Sequence, residues 1–296
     1  MNYHTKMRLA LAKSIGCYLL LLVLIVGVVW QIVFPFSPYG RQDTTDRLYI
    51  HVLSVGQGDA ILLQTGELTM LIDCGTYLEP DLLMVELRAK QVSHIDYLLF
   101  THPHDDHTGN ARALLFEFSV GKILIPDIEH SEPTLTLALE EAQKQGIPTS
   151  VFREGDFLPF GDAKIYVLSA AWDENNENNS SAVLRVSFGD SVALLMGDAE
   201  EETEERLLEK YDAAYLDCDL LKVGHHGSNT SSTAAFLAAA TPQYAAVSCG
   251  LYNSYNFPHY KVVRRLEAVD ATVLQTDRDG TLSFCATGDT LYYIEN

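Results

Sequence analysis

The chain has 296 residues, with 40 acidic against 20 basic side chains and a formal net charge of −20. The length suits one large domain or two small ones, and 47% hydrophobic residues are ample for a sizeable core. The acidic balance argues against a broad surface that grips duplex DNA by displacing counterions from its phosphates. No basic nucleic-acid groove is discernible in the sequence, so a small or short substrate fits best, with metal ions reversing the field locally.

Residues 17–34 carry no charge, close to the ~20 apolar residues that cross a bilayer. Lys6, Arg8 and Lys13 precede the run, and Arg41 and Arg47 mixed with Asp43 and Asp46 follow it. The positive-inside rule then predicts a cytoplasmic N-terminus, a single-pass anchor within residues 1–36 and an extracytoplasmic domain on the cell membrane. The alternatives are a cleaved signal peptide and a buried core helix; no small-x-small cleavage site follows the run. Residues 37–47 read as a polar linker, and 48–296 as one compact domain.

Within that domain, Leu48 to Val55, Ala60 to Gln64 and Leu68 to Ile72 read as consecutive strands broken by Gly-containing turns. Residues 80–90 read as a helix, Ile95 to Phe100 as a short buried strand, and Ala111 to Phe118 as a helix. Strand-like runs recur at 122–125, 163–169, 182–188, 191–196, 218–223, 244–248, 272–275 and 289–294. Helices recur at about 134–145, 200–211, 231–239 and 260–268. This order predicts an α/β sandwich with two sheets inside. Asp173 to Asn179 is the most polar stretch and reads as an exposed loop. The acidic run Glu200 to Glu205 reads as a solvated helix start, favoured by the helix dipole, rather than a cation site. Cys74, Cys218, Cys249 and Cys285 show no metal-ligand spacing and read as small buried residues, although their pairing is not readable.

The chemistry is concentrated in His102-Pro-His104-Asp-Asp106-His107, which follows a strand and precedes a helix. Imidazole nitrogens and carboxylate oxygens are the ligand set of zinc and similar divalent metals. This ligand density points to two ions, zinc or manganese, and two ions point to hydrolysis. His102 and His104 alternate and can face one side, while Asp106 and His107 can face a second point. Asp198 ends an apolar strand, where it bridges two metals or simply caps the following helix. His225 ends another strand, with His226 expected to face another way. Ser228 donates a hydrogen bond to substrate or caps the next helix; for Ser231 and Ser232 the capping reading is favoured. His259, after a loop rich in hydrogen-bonding groups, is a general-acid candidate or an exposed helix-start histidine.

Six ordered motifs then carry a resemblance: Val55-Gly-Gln-Gly-Asp-Ala60, Leu71-Ile-Asp-Cys-Gly75, Thr101 to Gly109, Asn178-Asn-Ser-Ser-Ala-Val-Leu-Arg185, Met196-Gly-Asp-Ala-Glu200 and Lys222-Val-Gly-His-His-Gly-Ser228. From about Leu48 to the C-terminus the chain resembles the metallo-β-lactamase superfamily, and within it the hydrolase domain of ComEC-type competence proteins. The resemblance implies a four-layer αββα sandwich. It implies His102 and His104 on one metal, Asp106, His107 and His225 on the other, and Asp198 bridging. Asp73 is implied as an inner support, with Asp59 and Gln57 in a loop facing the site, and His226 and Ser228 beside it. Asp105 reads as a spacer.

The sequence departs from the family in two places. The usual further histidine between the first loop and Asp198 is missing; only His130 lies in that interval, in an unrelated context. Phe257 stands where relatives carry a histidine, leaving His259 two residues on. The reading is a membrane-anchored, extracytoplasmic two-metal hydrolase of phosphodiesters, acting on a small or short substrate, single-stranded DNA included. Asp106 and His259 are its catalytic candidates. The alternative is a non-catalytic tethered module of the same fold.

Overall fold

A computed structural model describes residues 46–128, 132–173 and 175–295. The expected anchor at 17–34 and most of the linker lie outside the described residues. Among the described residues no helix is long and apolar enough to cross a membrane.

Two sheets form in chain order. The first takes β1 (Leu48–Val52), β2 (Ile61–Thr65), β3 (Leu68–Ile72), β4 (His94–Leu99), β5 (Ser119–Pro126) and β6 (Thr149–Phe152). The second takes β7 (Phe157–Phe160), β8 (Ala163–Ser169), β9 (Val183–Phe188), β10 (Ser191–Leu195), β11 (Leu220–Lys222), β12 (Tyr244–Val247) and β13 (Thr272–Gln275). The chain then returns to the first sheet with β14 (Leu282–Ala286) and β15 (Leu291–Ile294). The strand orders are β15-β14-β1-β2-β3-β4-β5-β6 and β13-β12-β11-β10-β9-β8-β7.

Period-two patterning explains the layers. Ile61 and Leu63 of β2 point into the seam between the sheets, with Leu184, Val186 and Leu195 from the other side. Leu62, between them, points outward against Leu83 and Leu87 of α1 (Pro80–Ala89). The same outer face is covered by α3 (Ala111–Glu117) and α4 (Pro133–Gln145), which follow the short α2 (Asp105–Thr108). The outer face of the second sheet is covered by α5 (Glu201–Lys210), α7 (Ala234–Ala240) and α8 (Tyr260–Glu267). Two four-residue helices, α6 (Ala213–Leu216) and α9 (Thr276–Asp279), complete the set. Each Leu or Ile fully buried in these layers contributes roughly 1.5–3 kcal/mol. The expected α/β sandwich with two sheets is what forms.

Three strands were not legible as such: β6, β7 and β14. β6 and β7 have four residues each, lie at sheet edges, and β7 contains Pro159; proline is tolerated on an edge because no ladder donor is needed there. The four cysteines outside the apolar run are buried free thiols.

Pairing direction places the functional edge. β3, β4 and β5 pair in parallel, as do β10, β11 and β12. Parallel strands end on the same side, and open α/β sheets gather their sites there. The residues that follow β3, β4, β10, β11 and β12 therefore converge.

Candidate metal centre

Asp73 follows β3 with φ 58 and receives three hydrogen bonds. The Thr101 amide donates to Oδ1 (2.8 Å), and Thr101 Oγ1 and His107 Nδ1 donate to Oδ2 (2.7 and 2.8 Å). This fixes the loop after β4. Because the Thr101 hydroxyl proton is spent on Asp73, Thr101 Oγ1 accepts from His102 Nδ1 (3.1 Å). His102 Nε2 is left as a lone pair, facing His104 Nδ1 at 3.0 Å. His104 Nε2 points away, to Glu177 Oε2 at 3.0 Å.

Asp198, delivered by β10, divides its two oxygens. Oδ1 faces His107 Nε2 (3.3 Å) and His226 Nε2 (3.4 Å). Oδ2 faces His102 Nε2 (3.9 Å) and His225 Nε2 (3.8 Å). Asp106 Oδ2 lies 3.2 Å from His226 Nε2. Two ligand groups share Asp198: His102, His104 and Asp198, and Asp106, His107, Asp198 and His226, each with its donor atoms within 4.8 Å of one another; a third such group, Asp59, Asp73 and His107, lies behind them.

The order of the adjacent histidines is thus the reverse of the sequence expectation. His226 joins Asp106 and His107, and His225 does not. Both residues have left-handed backbone, φ 47 and 53, so their side chains do not follow strand alternation. His226 turns inward and is 1% exposed; its Nδ1 donates to Ser248 O (3.0 Å) and lies 3.3 Å from Asp59 Oδ1. His225 stands on the Oδ2 side of Asp198 and donates from Nδ1 to Glu200 Oε1 (3.1 Å).

The donor set fits divalent cations. His107 Nε2, His226 Nε2 and Asp198 Oδ1 are buried and make no hydrogen bond among the described residues. They converge at ion-pair range but off hydrogen-bond geometry, as donor atoms grouped around a common cation position do. The outward nitrogens of His102, His104, His107 and His226 each meet an oxygen, the outer support that orients metal-binding imidazoles.

Electrostatics agree. Burial alone would lower His107 and His226, but Asp198 with Asp73 and Asp106 around the first, and Asp198 with Asp59 around the second, hold both well above the ordinary histidine value. Burial would raise Asp106, but His107 and His226 hold it at about 2. Burial, then His107, pushes His102 far down and keeps it neutral. Donors that attract protons this strongly attract divalent cations on the same grounds.

Asp59 supports the centre from behind. Its Oδ2 pairs with the fully buried Lys222 Nζ at 2.7 Å, and its amide donates to Asp106 O (3.1 Å). Gly58, at φ +131, permits this approach: a Cβ there would lie 2.2 Å from Asp106 O. Gln57 Oε1 accepts from the Gly250 amide (3.1 Å).

Other candidates lie further out. Ser228 is buried and its hydroxyl accepts from Thr230 Oγ1 (3.0 Å), inside its own turn. The cap of α7 is Thr233, not Ser231 or Ser232. His259 Nδ1 accepts from the Asn229 amide (2.9 Å). Phe257 separates it from the centre, 5.2 Å from His259 and 6.1 Å from His226 between ring centroids. Asp105 is exposed, and His130 lies outside the described residues.

Sequence reasoning passed over Glu177, Glu200 and Asn179. The stretch 173–179 read as exposed, yet Asn179 is buried, accepts from the Glu200 amide (3.0 Å) and donates to Glu202 (3.0 Å). The neighbouring Ser181 Oγ accepts from the Asp198 amide (3.0 Å). The acidic run is not simply solvated either. The His225 hydrogen bond holds Glu200 at about 2, and the buried Glu204 accepts from the amides of Ser232 and Thr233 (2.5 and 2.7 Å). Asn179 and Glu200 lie in two of the motifs quoted for the resemblance; for Glu177 the density of Asn and Glu beside them was the signal.

Known proteins resemble this chain in sequence and in fold. The chain is 34% identical over 256 residues to ComE operon protein 3 of Bacillus subtilis (strain 168), and 32% identical over 236 residues to competence protein ComA of Neisseria gonorrhoeae. Each match covers 79% of this chain but 32% of the relative, so the chain spans about a third of their length. Among solved structures, the metallo-beta-lactamase fold protein YhfI from Bacillus subtilis aligns with a TM-score of 0.53 at 13% identity, covering 80% of this chain and 99% of that one. That likeness shows the fold. Residues 53–250 match the sequence family itself, and the chain belongs to the metallo-beta-lactamase superfamily.

Proposed function

We propose that the protein is a two-metal hydrolase of phosphodiester bonds that acts on a short or single-stranded substrate from a membrane-tethered position. The observation that carries this reading is the convergence of His107 Nε2, His226 Nε2 and Asp198 Oδ1, buried and without hydrogen bonds. One ion would be held by His102, His104 and Asp198, and the other by Asp106, His107, His226 and Asp198. Their nitrogen and oxygen donors suit zinc or manganese. When bound, two such ions acidify water and neutralise charge on phosphoryl oxygens.

The chain's own groups do the rest. Asp73, Glu177 and Ser248 O hold the imidazole tautomers. His225, with its Nδ1 proton on Glu200 and its Nε2 toward Asp198 Oδ2, is the imidazole beside the centre that is free to meet a phosphoryl or leaving-group oxygen. As an imidazolium, with Nδ1–H held by Glu200 and Nε2–H facing the leaving-group oxygen, His225 would take the proton-donor role expected of His259. The relatives' names support a competence-related substrate, and the uncharged run 17–34 supports tethering.

The test is hydrolysis of bis-(p-nitrophenyl) phosphate and single-stranded DNA by the full chain, with Mn²⁺ or Zn²⁺ added. Metal-dependent turnover that is lost in Asp198→Ala is expected; turnover that survives this substitution sinks the proposal. Phe257, stacked over His226 at 27°, favours a second reading, a non-catalytic tethered module. Two bound metals with no turnover on either substrate would select it.

A further inference from the structure

On a chain of net charge −20, one helix runs against the trend. α8 carries Lys261, Arg264 and Arg265 within five positions and a single acid, Glu267. These three cations, with Asn229 and Tyr260, line an open cavity of about 560 Å³. Tyr260 is 75% exposed. Lys261 has no ion-pair partner among the described residues. Arg264 makes one exposed contact with Glu267 (2.7 Å). Arg265 donates from Nη2 to Ser231 O (3.1 Å), while its Nε is buried and meets no acceptor among the described residues.

The cavity is joined to the metal centre. The Asn229 amide donates to His259 Nδ1. The His259 amide donates to Gly227 O (2.9 Å), next to His226. Between them the rings of His259, Phe257 and His226 form a continuous edge, which Tyr255 extends by stacking on Phe257 at 5.3 Å and 13°.

We infer that this cavity is a second strand-binding subsite. It takes a non-scissile phosphate of a single-stranded nucleic acid whose scissile phosphate lies at the metal centre, and Tyr260 offers a face to an adjoining base. The inference rests on the phosphodiester reading of the centre. Guanidinium forks suit phosphate oxygens, and aromatic faces accept any base. An acidic protein cannot hold a strand by general electrostatic attraction, so it needs a local cationic pocket of this kind.

The experiment measures binding of a fluorescent hexathymidylate to the full chain in chelator, by anisotropy across a salt series, for the wild type, Lys261→Ala/Arg264→Ala and the charge-preserving Lys261→Arg/Arg264→Lys. The alanine pair is expected to bind on the order of tenfold or more weakly. Its log–log salt slope should fall by about 0.7, the value for one lost phosphate contact on a single strand. The charge-preserving pair should stay near the wild type. Undetectable wild-type binding, or an alanine pair with unchanged affinity and slope, overturns the subsite. In parallel, bis-(p-nitrophenyl) phosphate, which has no second phosphate, is assayed with metal. Its hydrolysis judges the two-metal reading alone, so the two failures are distinguishable.

Discussion

The Lys222–Asp59 pair offers the sharpest test of how the centre is supported. Both side chains are at most 1% exposed, and the contact is 2.7 Å. Lys222→Met keeps the apolar stem and removes the charge, leaving Asp59 buried beside His226 and His107. Breaking a buried pair from one side costs roughly 3–5 kcal/mol. At about 2–4 °C per kcal/mol for a domain approaching this size, the melting temperature should drop by roughly 6–20 °C. The measurement is urea and thermal unfolding in chelator, so that metal linkage does not mask the loss.

The pH dependence carries a sign. Burial would raise Asp59, but Lys222 and then His226 hold it below the ordinary carboxylate range. The pair therefore stabilises the fold above the unfolded carboxylate value of ~3.9, and that stability is lost as pH falls through the lower folded value. Lys222→Met removes the largest influence that lowers Asp59, so its carboxyl should titrate higher than in the wild type. The deficit should then be full at neutral pH and shrink as the solution is acidified. Asp59→Asn/Lys222→Met should be less damaged than Lys222→Met alone. A loss below about 1 kcal/mol, the range of exposed pairs, or a deficit that grows on acidification, would refute the reasoning.

Three further outcomes follow from the geometry of the centre. By elemental analysis, His226→Ala should lower bound metal from about two ions per chain to about one, whereas His225→Ala should retain both; the opposite pattern would restore the order expected from sequence. Glu177→Gln should weaken the first-site ion about 10–100-fold in chelator competition, because it loosens the partner of His104 Nε2; equal weakening at both sites would show a general effect instead. Since His107 and His226 lie well above the ordinary histidine value before cations bind, metal titration at neutral pH should release about two protons. Calorimetry in buffers of different ionisation enthalpy reads that number, and a value near zero would contradict the electrostatics.

The residues at the strand ends were readable for a physical reason. His102, His104, Asp106 and His107 occupy six consecutive positions, and apolar runs lead into Asp198 and His225. What sequence did not reveal was direction. The choice between His225 and His226 depends on two left-handed residues in succession, a backbone state that neither side chain announces. The loop 173–179 looked solvated because polarity was its only signature. Asn176 and Asn179 instead bind Glu200, Glu202 and Thr203 at the start of α5, and Glu177 meets His104. Phe257 was flagged by its departure from the family, but its stacking on His226 required coordinates.

Each ligand group draws on both sheets: His102 to His107 follow β4 of the first, and Asp198 and His226 follow β10 and β11 of the second. An ion shared between them is a cross-link. It closes a loop of roughly ninety residues, a span for which chain-entropy arithmetic gives on the order of 4–5 kcal/mol. The thiols elsewhere in the domain are free, so this clasp would depend on metal supply rather than on redox state. Metal starvation would then loosen the seam between the sheets as well as silence the chemistry, and protease sensitivity of the domain would report its ion content.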